Sequence, residues 1–264
     1  MATLTVAAIM SARALEQTTG RDARLPCTIV TGATSGIGRE LTLQLASAGV
    51  KVIAIGRNRD ALRTLAAHSD LVTTYVADLG EIASLAPLVA HIVSDHPEAG
   101  CLINNAGIQN DLRLDDASCD AARIRHEVDV NLVAPMVLTH ALLAHLQARR
   151  MSWIVNVTSG LGYAPKRTAA VYSATKAGLH LFTQALRVQM EGATVRVVEA
   201  VMPLVDTPMT AGRGTHKLSA AKAAAELIEV LLAGRSDVRI GKARWLPWLQ
   251  RWAPGVLARI LQRD

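Results

Sequence analysis

Tyr172 and Lys176 stand four residues apart in the run Tyr-Ser-Ala-Thr-Lys. At helical spacing their phenol and ammonium share one face, about one turn apart. A free phenol has a pKa of ~10 and exchanges protons poorly near neutrality. A neighbouring cation favours the phenolate and lowers that value; reaching ~7 asks for roughly 4 kcal/mol of differential stabilisation, of which Lys176 supplies part. Ser159 lies upstream, just past an apolar run, where its hydroxyl can orient and polarise an oxygen. Singly these are helix-surface and turn residues; together they suggest proton transfer at a substrate oxygen.

Thr31-Gly32-Ala33-Thr34-Ser35-Gly36-Ile37-Gly38 joins an apolar strand to a helix. Its glycines, spaced Gly-x-x-x-Gly-x-Gly, permit a tight turn and a close backbone approach to a pyrophosphate. The helix N-terminus adds free N–H groups and partial positive charge. The next strand ends in Gly56-Arg57-Asn58-Arg59. A carboxylate there would pair with adenosine ribose hydroxyls, whereas an arginine accommodates a 2′-phosphate. Arg57 gives a dianionic phosphate charge-assisted bonds, so the residues favour NADP (NADPH) over NAD. The oxidised nicotinamide ring of such a cofactor supplies another part of the phenolate's stabilisation.

These groups need a frame. Short apolar runs at 27–31, 50–55, 71–76, 101–104, 153–157 and 195–200 read as buried strands. Between them lie helical-period segments at 37–48, 59–67, 82–94, 121–131, 135–149 and 170–190, with another at 220–233. Strands apolar on both faces and separated by helices imply a parallel sheet covered on both sides. The expectation is an α/β chain: a single-domain doubly wound Rossmann fold with its ligand site at the strands' carboxyl ends. Residues 1–25 form an N-terminal extension and 26–240 the catalytic domain. Within that domain 205–219 form a substrate loop, whose polar stretch 207–219 suits a mobile lid, and 241–264 are a Trp-rich tail.

The phosphate loop, Asp78-Leu79, Asn104-Asn105-Ala106-Gly107, Asn131, Ser159 and Tyr172 to Lys176 occur in an order and spacing that resembles the short-chain dehydrogenase/reductase family over 27–207. The resemblance implies an NADP(H)-dependent oxidoreductase that interconverts a carbonyl and a secondary alcohol by hydride transfer, with no metal. It implies Tyr172 as acid and base, Ser159 as orienter of the substrate oxygen, and Lys176 as the group that lowers the tyrosine pKa and holds the nicotinamide ribose. Asn131 would complete a proton relay. Gly32, Ser35, Gly36, Ile37 and Gly38 would lie along the pyrophosphate. Asp78 and Leu79 would lie near adenine, Asn105 on the adenosine side with Ala106 and Gly107 also against the cofactor, and Val205 and Thr207 at the carboxamide. Met202-Pro203-Leu204 replaces the family's usual Pro-Gly, which bears on the placement of Val205 and Thr207. The alternative, a non-catalytic NADP(H)-binding sensor or scaffold, is disfavoured because no catalytic residue is missing. The resemblance also suggests a homodimer or homotetramer paired through helices 135–149 and 170–190.

The 264-residue chain is half hydrophobic and carries a formal charge of +6, with a pI near 9.6. That composition excludes disorder. Its basic residues form neither a long run nor an aromatic-studded stripe, which argues against nucleic acid. The three cysteines fit neither a disulfide framework nor a zinc site and suit a reducing cytoplasmic compartment. The weakly charged stretch 132–146 is shorter than the ~18 residues of a spanning helix. Residues 1–24 lack the features of a secretory signal. Ile108, Gln109, Leu161, Tyr163, Leu204 and the 208–217 loop are candidate walls for a small-molecule carbonyl or alcohol. In the tail, Trp245, Trp248 and Trp252 stand at i, i+3 and i+7 among Lys242, Arg244, Arg251 and Arg259. A basic amphipathic segment of this kind can lie on a membrane. Pro247 and Pro254 are expected to break it, so packing on the body or on a partner subunit is the favoured reading.

Overall fold

The computed structural model describes residues 25–111 and 113–262, with side chains through Arg259. The N-terminal extension, apart from Leu25, lies outside the described residues. The chain alternates β1 (Cys27–Thr31), α1 (Gly36–Ser47), β2 (Val52–Gly56), α2 (Arg59–His68), β3 (Val72–Val76), α3 (Ile82–Asp95) and β4 (Ala99–Asn104). It continues through α4 (Ala121–Val128), a π turn at Asp129–Val133, α5 (Ala134–Gln147), β5 (Ser152–Ser159), α6 (Ala170–Gln189) and β6 (Val195–Met202). A two-residue strand β7 (Val205–Asp206) pairs with β8 (Leu218–Ser219) before α7 (Ala220–Leu232) and β9 (Asp237–Arg239). Helices α8 (Leu246–Trp252) and α9 (Pro254–Gln262) follow.

Among the described residues seven parallel strands form one sheet in the order β3-β2-β1-β4-β5-β6-β9. Adjacent residues of each central strand serve opposite faces. Val30, Ile103, Val155 and Val198 pack with α1, α2 and α7, while Ile29, Leu102, Ile154 and Val197 pack with α3, α5 and α6. Two cores therefore clamp the sheet, which is why these runs are apolar at every position. Strand order reverses between β1 and β4, and there the carboxyl ends open a crevice.

Most predicted elements appear within one or two residues. Val50 closes the turn after α1 rather than opening β2, and β6 runs two residues further, to Met202. The two helices predicted at 121–131 and 135–149 are one continuous run, Ala121–Gln147, through the π turn that holds Asn131. This 27-residue run is long and apolar enough to cross a membrane by length and composition, unlike the shorter stretch read from sequence. Its Ala134, Leu138, Leu142 and Leu146 are instead spent against the sheet. Strands β7, β8 and β9 have no sequence counterpart, being too short to show a period.

Candidate active site

The β1–α1 turn is built for close approach. Gly32 and Gly36 adopt φ of +66° and +52°, conformations that favour glycine. A Cβ on Gly38 would sit 2.2 Å from the Gly32 carbonyl oxygen and 2.5 Å from Asn105 Nδ2, so only glycine fits. Ser35 caps α1 in extended backbone without donating its side chain to the task, which leaves the helix's first N–H groups for a ligand. Thr31 Oγ1 accepts bonds from the N–H groups of Asn105 and Ala106, each at 3.0 Å, and Asn105 Nδ2 returns one to the Thr31 carbonyl at 2.9 Å. Those bonds lock β1 to β4 at the switch point. They assign Asn105 the role of suturing the crevice floor.

Arg57 leaves β2 half exposed, with its Nη1 3.4 Å from Asp78 Oδ2. Asp78 also accepts the Gly80 N–H at 2.9 Å. Burial works against the Asp78 charge, yet the Gly80 bond and the Arg57 guanidinium hold its carboxyl below the usual range. The pair aims a cation and an anion at one edge of the crevice. Such an edge suits an adenosine phosphate, and the loop beside it suits the pyrophosphate of a dinucleotide.

Ser159, Tyr172 and Lys176 meet in the same cleft, which is also lined by Gly32, Ser35, Asp78, Ala106, Val205 and Thr207. Ser159 Oγ accepts the Leu161 N–H at 3.2 Å and its hydroxyl favours the Tyr172 phenolate, while Lys176 Nζ lies 5.7 Å from the phenol ring's centroid. Lys176 donates to the Val157 carbonyl at 2.9 Å. Burial dominates the electrostatics of the pair. Burial pushes the Tyr172 phenol up to about 12, against the lowering influence of Ser159 and, more weakly, Arg213; the Glu127 carboxylate adds to the rise. Burial also pulls Lys176 down to about 8. The same dry site that brings the pair together disfavours both charges.

Asn131 is buried and fully engaged. Its Oδ1 accepts the Ile108 N–H and its Nδ2 donates to the Ile108 carbonyl, both at 2.8 Å, with Thr175 Oγ1 at 3.3 Å. A Cβ on Gly107 would be 3.3 Å from Asn131 Oδ1 and 3.6 Å from Lys176 Nζ, so the three residues are close neighbours. Val205 is buried in β7, and Thr207 lies 2.9 Å from the position a Gly36 Cβ would take. The departure from Pro-Gly therefore still returns the chain to the phosphate loop.

Several residues that shape the site escaped the sequence reading. The 207–219 stretch is tied down rather than loose: β7 pairs with β8, Arg213 Nε binds Asp111 at 2.8 Å, and Lys217 meets Asp206 at 3.5 Å. As expected from the sequence, Ile108 and, from the 208–217 loop, Pro208, Met209 and Thr210 line the cleft; Val157 joins them. Of the proposed walls, Tyr163 instead faces His180 at 3.3 Å, and the Gln109 carbonyl receives Arg213. Behind Ser159, buried Glu199 accepts from Thr158 at 2.7 Å and pairs with His180 at 2.8 Å. An acid inside the apolar run Val-Arg-Val-Val-Glu-Ala-Val-Met was the available signal for that network.

A doubly wound sheet with an uncapped glycine-rich turn at its switch point defines a Rossmann-fold nucleotide-binding class. The chain belongs to the short-chain dehydrogenase family, whose model, described as short chain dehydrogenase, matches residues 26–218. It is an oxidoreductase of that family. It is 33% identical over 68% of its length to a Bacillus subtilis (strain 168) protein named uncharacterized oxidoreductase DltE, covering 71% of that protein. It is 37% identical over 70% of its length to the uncharacterized short-chain type dehydrogenase/reductase y4eK of Sinorhizobium fredii (strain NBRC 101917 / NGR234), again covering 71% of the relative. Among solved structures, a short chain dehydrogenase from Burkholderia cenocepacia J2315 in complex with NADP superposes with a TM-score of 0.80 at 24% identity, covering 92% of this chain and all of that one. A Sphingobium yanoikuyae short-chain dehydrogenase in complex with NADPH gives 0.75 at 25% identity, covering 91% of this chain and 98% of that one.

Proposed function

We propose that this chain is an NADP(H)-dependent carbonyl reductase, or in the reverse direction an alcohol dehydrogenase, acting on a small secondary alcohol or its carbonyl counterpart. One observation carries the reading: the Tyr172 phenol, the Ser159 hydroxyl and Lys176 line the same cleft as the phosphate loop.

When bound, the cofactor supplies or accepts the hydride. The chain's own groups do the rest. Ser159 holds the carbonyl oxygen against Tyr172. With its pKa near 12 the phenol is protonated at neutral pH and donates to the developing alkoxide. The Lys176 ammonium offsets the phenolate that remains and binds ribose hydroxyls. Asn131, fixed on the Ile108 backbone, holds that side of the cleft next to Lys176 and takes part in returning the proton.

Arg57 receives the 2′-phosphate. Its exposed guanidinium, the lack of an acid at Gly56 and the NADPH-bound Sphingobium relative support that choice over NAD. Asp78 and Leu79 lie near adenine and Asn105 on the adenosine side, Ala106 and Gly107 also lie against the cofactor, and Val205 and Thr207 stand at the nicotinamide. The apolar lining, including Ile108, Met202 and Met209, supports a substrate of low charge.

Buried free thiols at Cys27 and Cys101, raised by burial to about 11 and about 12, support a reducing cytoplasmic setting. Exposed Leu181 and Val188, seven residues apart on α6, support pairing into a homodimer or homotetramer through α5 and α6. The test of the enzymatic reading is NADPH oxidation against a carbonyl panel. The rate should collapse in Tyr172→Phe while NADPH binding survives, and an unchanged rate would defeat it.

A further inference from the structure

We propose that the segment from Gly241 to Gln262 is a docking surface for an anionic lipid bilayer. The three pieces of this segment carry two faces. Ala243, Leu246 and Leu257 turn inward and pack with Ala164 and Val201, joined by Leu249 and Tyr163. Trp245, Trp248 and Trp252 turn outward, at 61%, 58% and 67% exposure, and Val256 at 41%. The inner face already seats the segment on the body, so intramolecular packing does not account for the indoles. Nor do the prolines dismantle the surface. They break the segment into short pieces as expected, but each of the last two pieces starts at its proline: Pro247 and Pro254 occupy the first turns of α8 and α9, where a missing N–H costs nothing.

At about 200 Å² per indole, the three rings together leave on the order of 350 Å² in water. The surrounding charge identifies the occupant. Lys242, Arg244, Arg251 and Arg259 are all exposed, and the sequence holds no Asp or Glu from Ile240 to Arg263. Arg244 and Arg259 donate to backbone carbonyls at Gly241 and Gly255, and Arg251 stacks 5.4 Å from the Trp252 ring. A second copy docked symmetrically would set these cations against their own equivalents, which like-charge repulsion opposes. An anionic leaflet offers the complement: headgroup phosphates for the cations and an interfacial zone that favours indoles. The segment also sits beside the site, since Leu246 Cδ1 is 3.4 Å from where a Gly160 Cβ would lie, next to Ser159.

The experiment is flotation of the purified full chain with vesicles of phosphatidylcholine alone or mixed with phosphatidylglycerol. It needs no turnover, so it stands or falls apart from the oxidoreductase reading. The chain should rise with the mixed vesicles and not with the neutral ones. Its emission should shift to the blue on binding, because the fourth tryptophan, Trp153, is already buried. The variant Trp245→Ser/Trp248→Ser/Trp252→Ser keeps every cation, and its retention should fall about tenfold or more with an unchanged thermal midpoint. Arg244→Glu/Arg251→Glu should lose retention as well, providing a second variant if the first is unstable. Failure of the wild type to float, or equal flotation of the tryptophan variant, overturns the proposal. So does a light-scattering result in which the tryptophan variant merely turns an oligomer into monomers, which would make this face a contact between copies.

Discussion

Replacing Lys176 by methionine should make the protein more stable while abolishing its chemistry. Lys176 is 4% exposed, its hydrogen bond goes to the Val157 carbonyl, and burial alone pulls its pKa from 10.5 to about 8. At about 1.4 kcal/mol for each pH unit, that fall corresponds to roughly 3 kcal/mol of cost for keeping the ammonium in the folded state. Below pH 8 folded and unfolded chains both carry the charge, so the full cost is present. Between about 8 and 10.5 the folded chain sheds its proton and the cost fades; above 10.5 it is gone. Methionine fills the same space without charge, at the expense of about 1 kcal/mol for the lost bond to Val157. The net expectation at pH 7 is a gain of ~2 kcal/mol, or about 5 °C in Tm for a chain of this size. Urea unfolding of both proteins without cofactor, at pH 7 and again near pH 10.5, is the assay. The gain should be largest at the lower pH and vanish or reverse at the higher. A variant less stable at pH 7, or a difference that ignores pH, would show that Lys176 is not a costly buried cation, and the argument from burial would fail.

The Tyr172→Phe variant should lower kcat by about 10²–10⁴ with little change in NADPH affinity, as measured by steady-state rates and fluorescence titration. Arg57→Asp should weaken NADPH by roughly tenfold to a hundredfold and NADH far less; equal losses by calorimetry would remove the 2′-phosphate from its side chain. Gly38→Ala places a methyl group against the Gly32 carbonyl. Dinucleotide binding should therefore be lost or severely weakened in the same titration. An oligomer paired through α6 should fall to monomers in light scattering on Leu181→Glu/Val188→Glu, and an unaltered mass would move the subunit contact away from α6.

Much of the frame was legible because its signals are local. Apolar runs such as Cys27–Thr31 and Val52–Gly56 announce strands buried on both faces, and Gly-x-x-x-Gly-x-Gly announces where a helix begins beneath a phosphate. Tyr172 and Lys176 needed only the pitch of one helix to be set side by side. Ser159 was placed by ending a strand whose direction the parallel sheet dictates.

What stayed hidden involves partners far apart along the chain. No spacing rule joins Arg213 to Asp111, Asn131 to the backbone of Ile108, or Thr31 to Asn105; the folded sheet and its loops bring them together. The same holds for electrostatics. From sequence, Lys176 and an oxidised nicotinamide ring share in acidifying the phenol, and burial does not enter. In the fold both phenol and ammonium are dry, and burial raises the phenol's pKa while it lowers the ammonium's. The tail shows the division most plainly. Its composition and period set three indoles on one stripe, but only packing decided which stripe faces the core. Leu246 and Leu257 took the interior, and the tryptophans were left to the solvent. Periodicity is a property of a single helix, whereas burial depends on what the rest of the chain places against it.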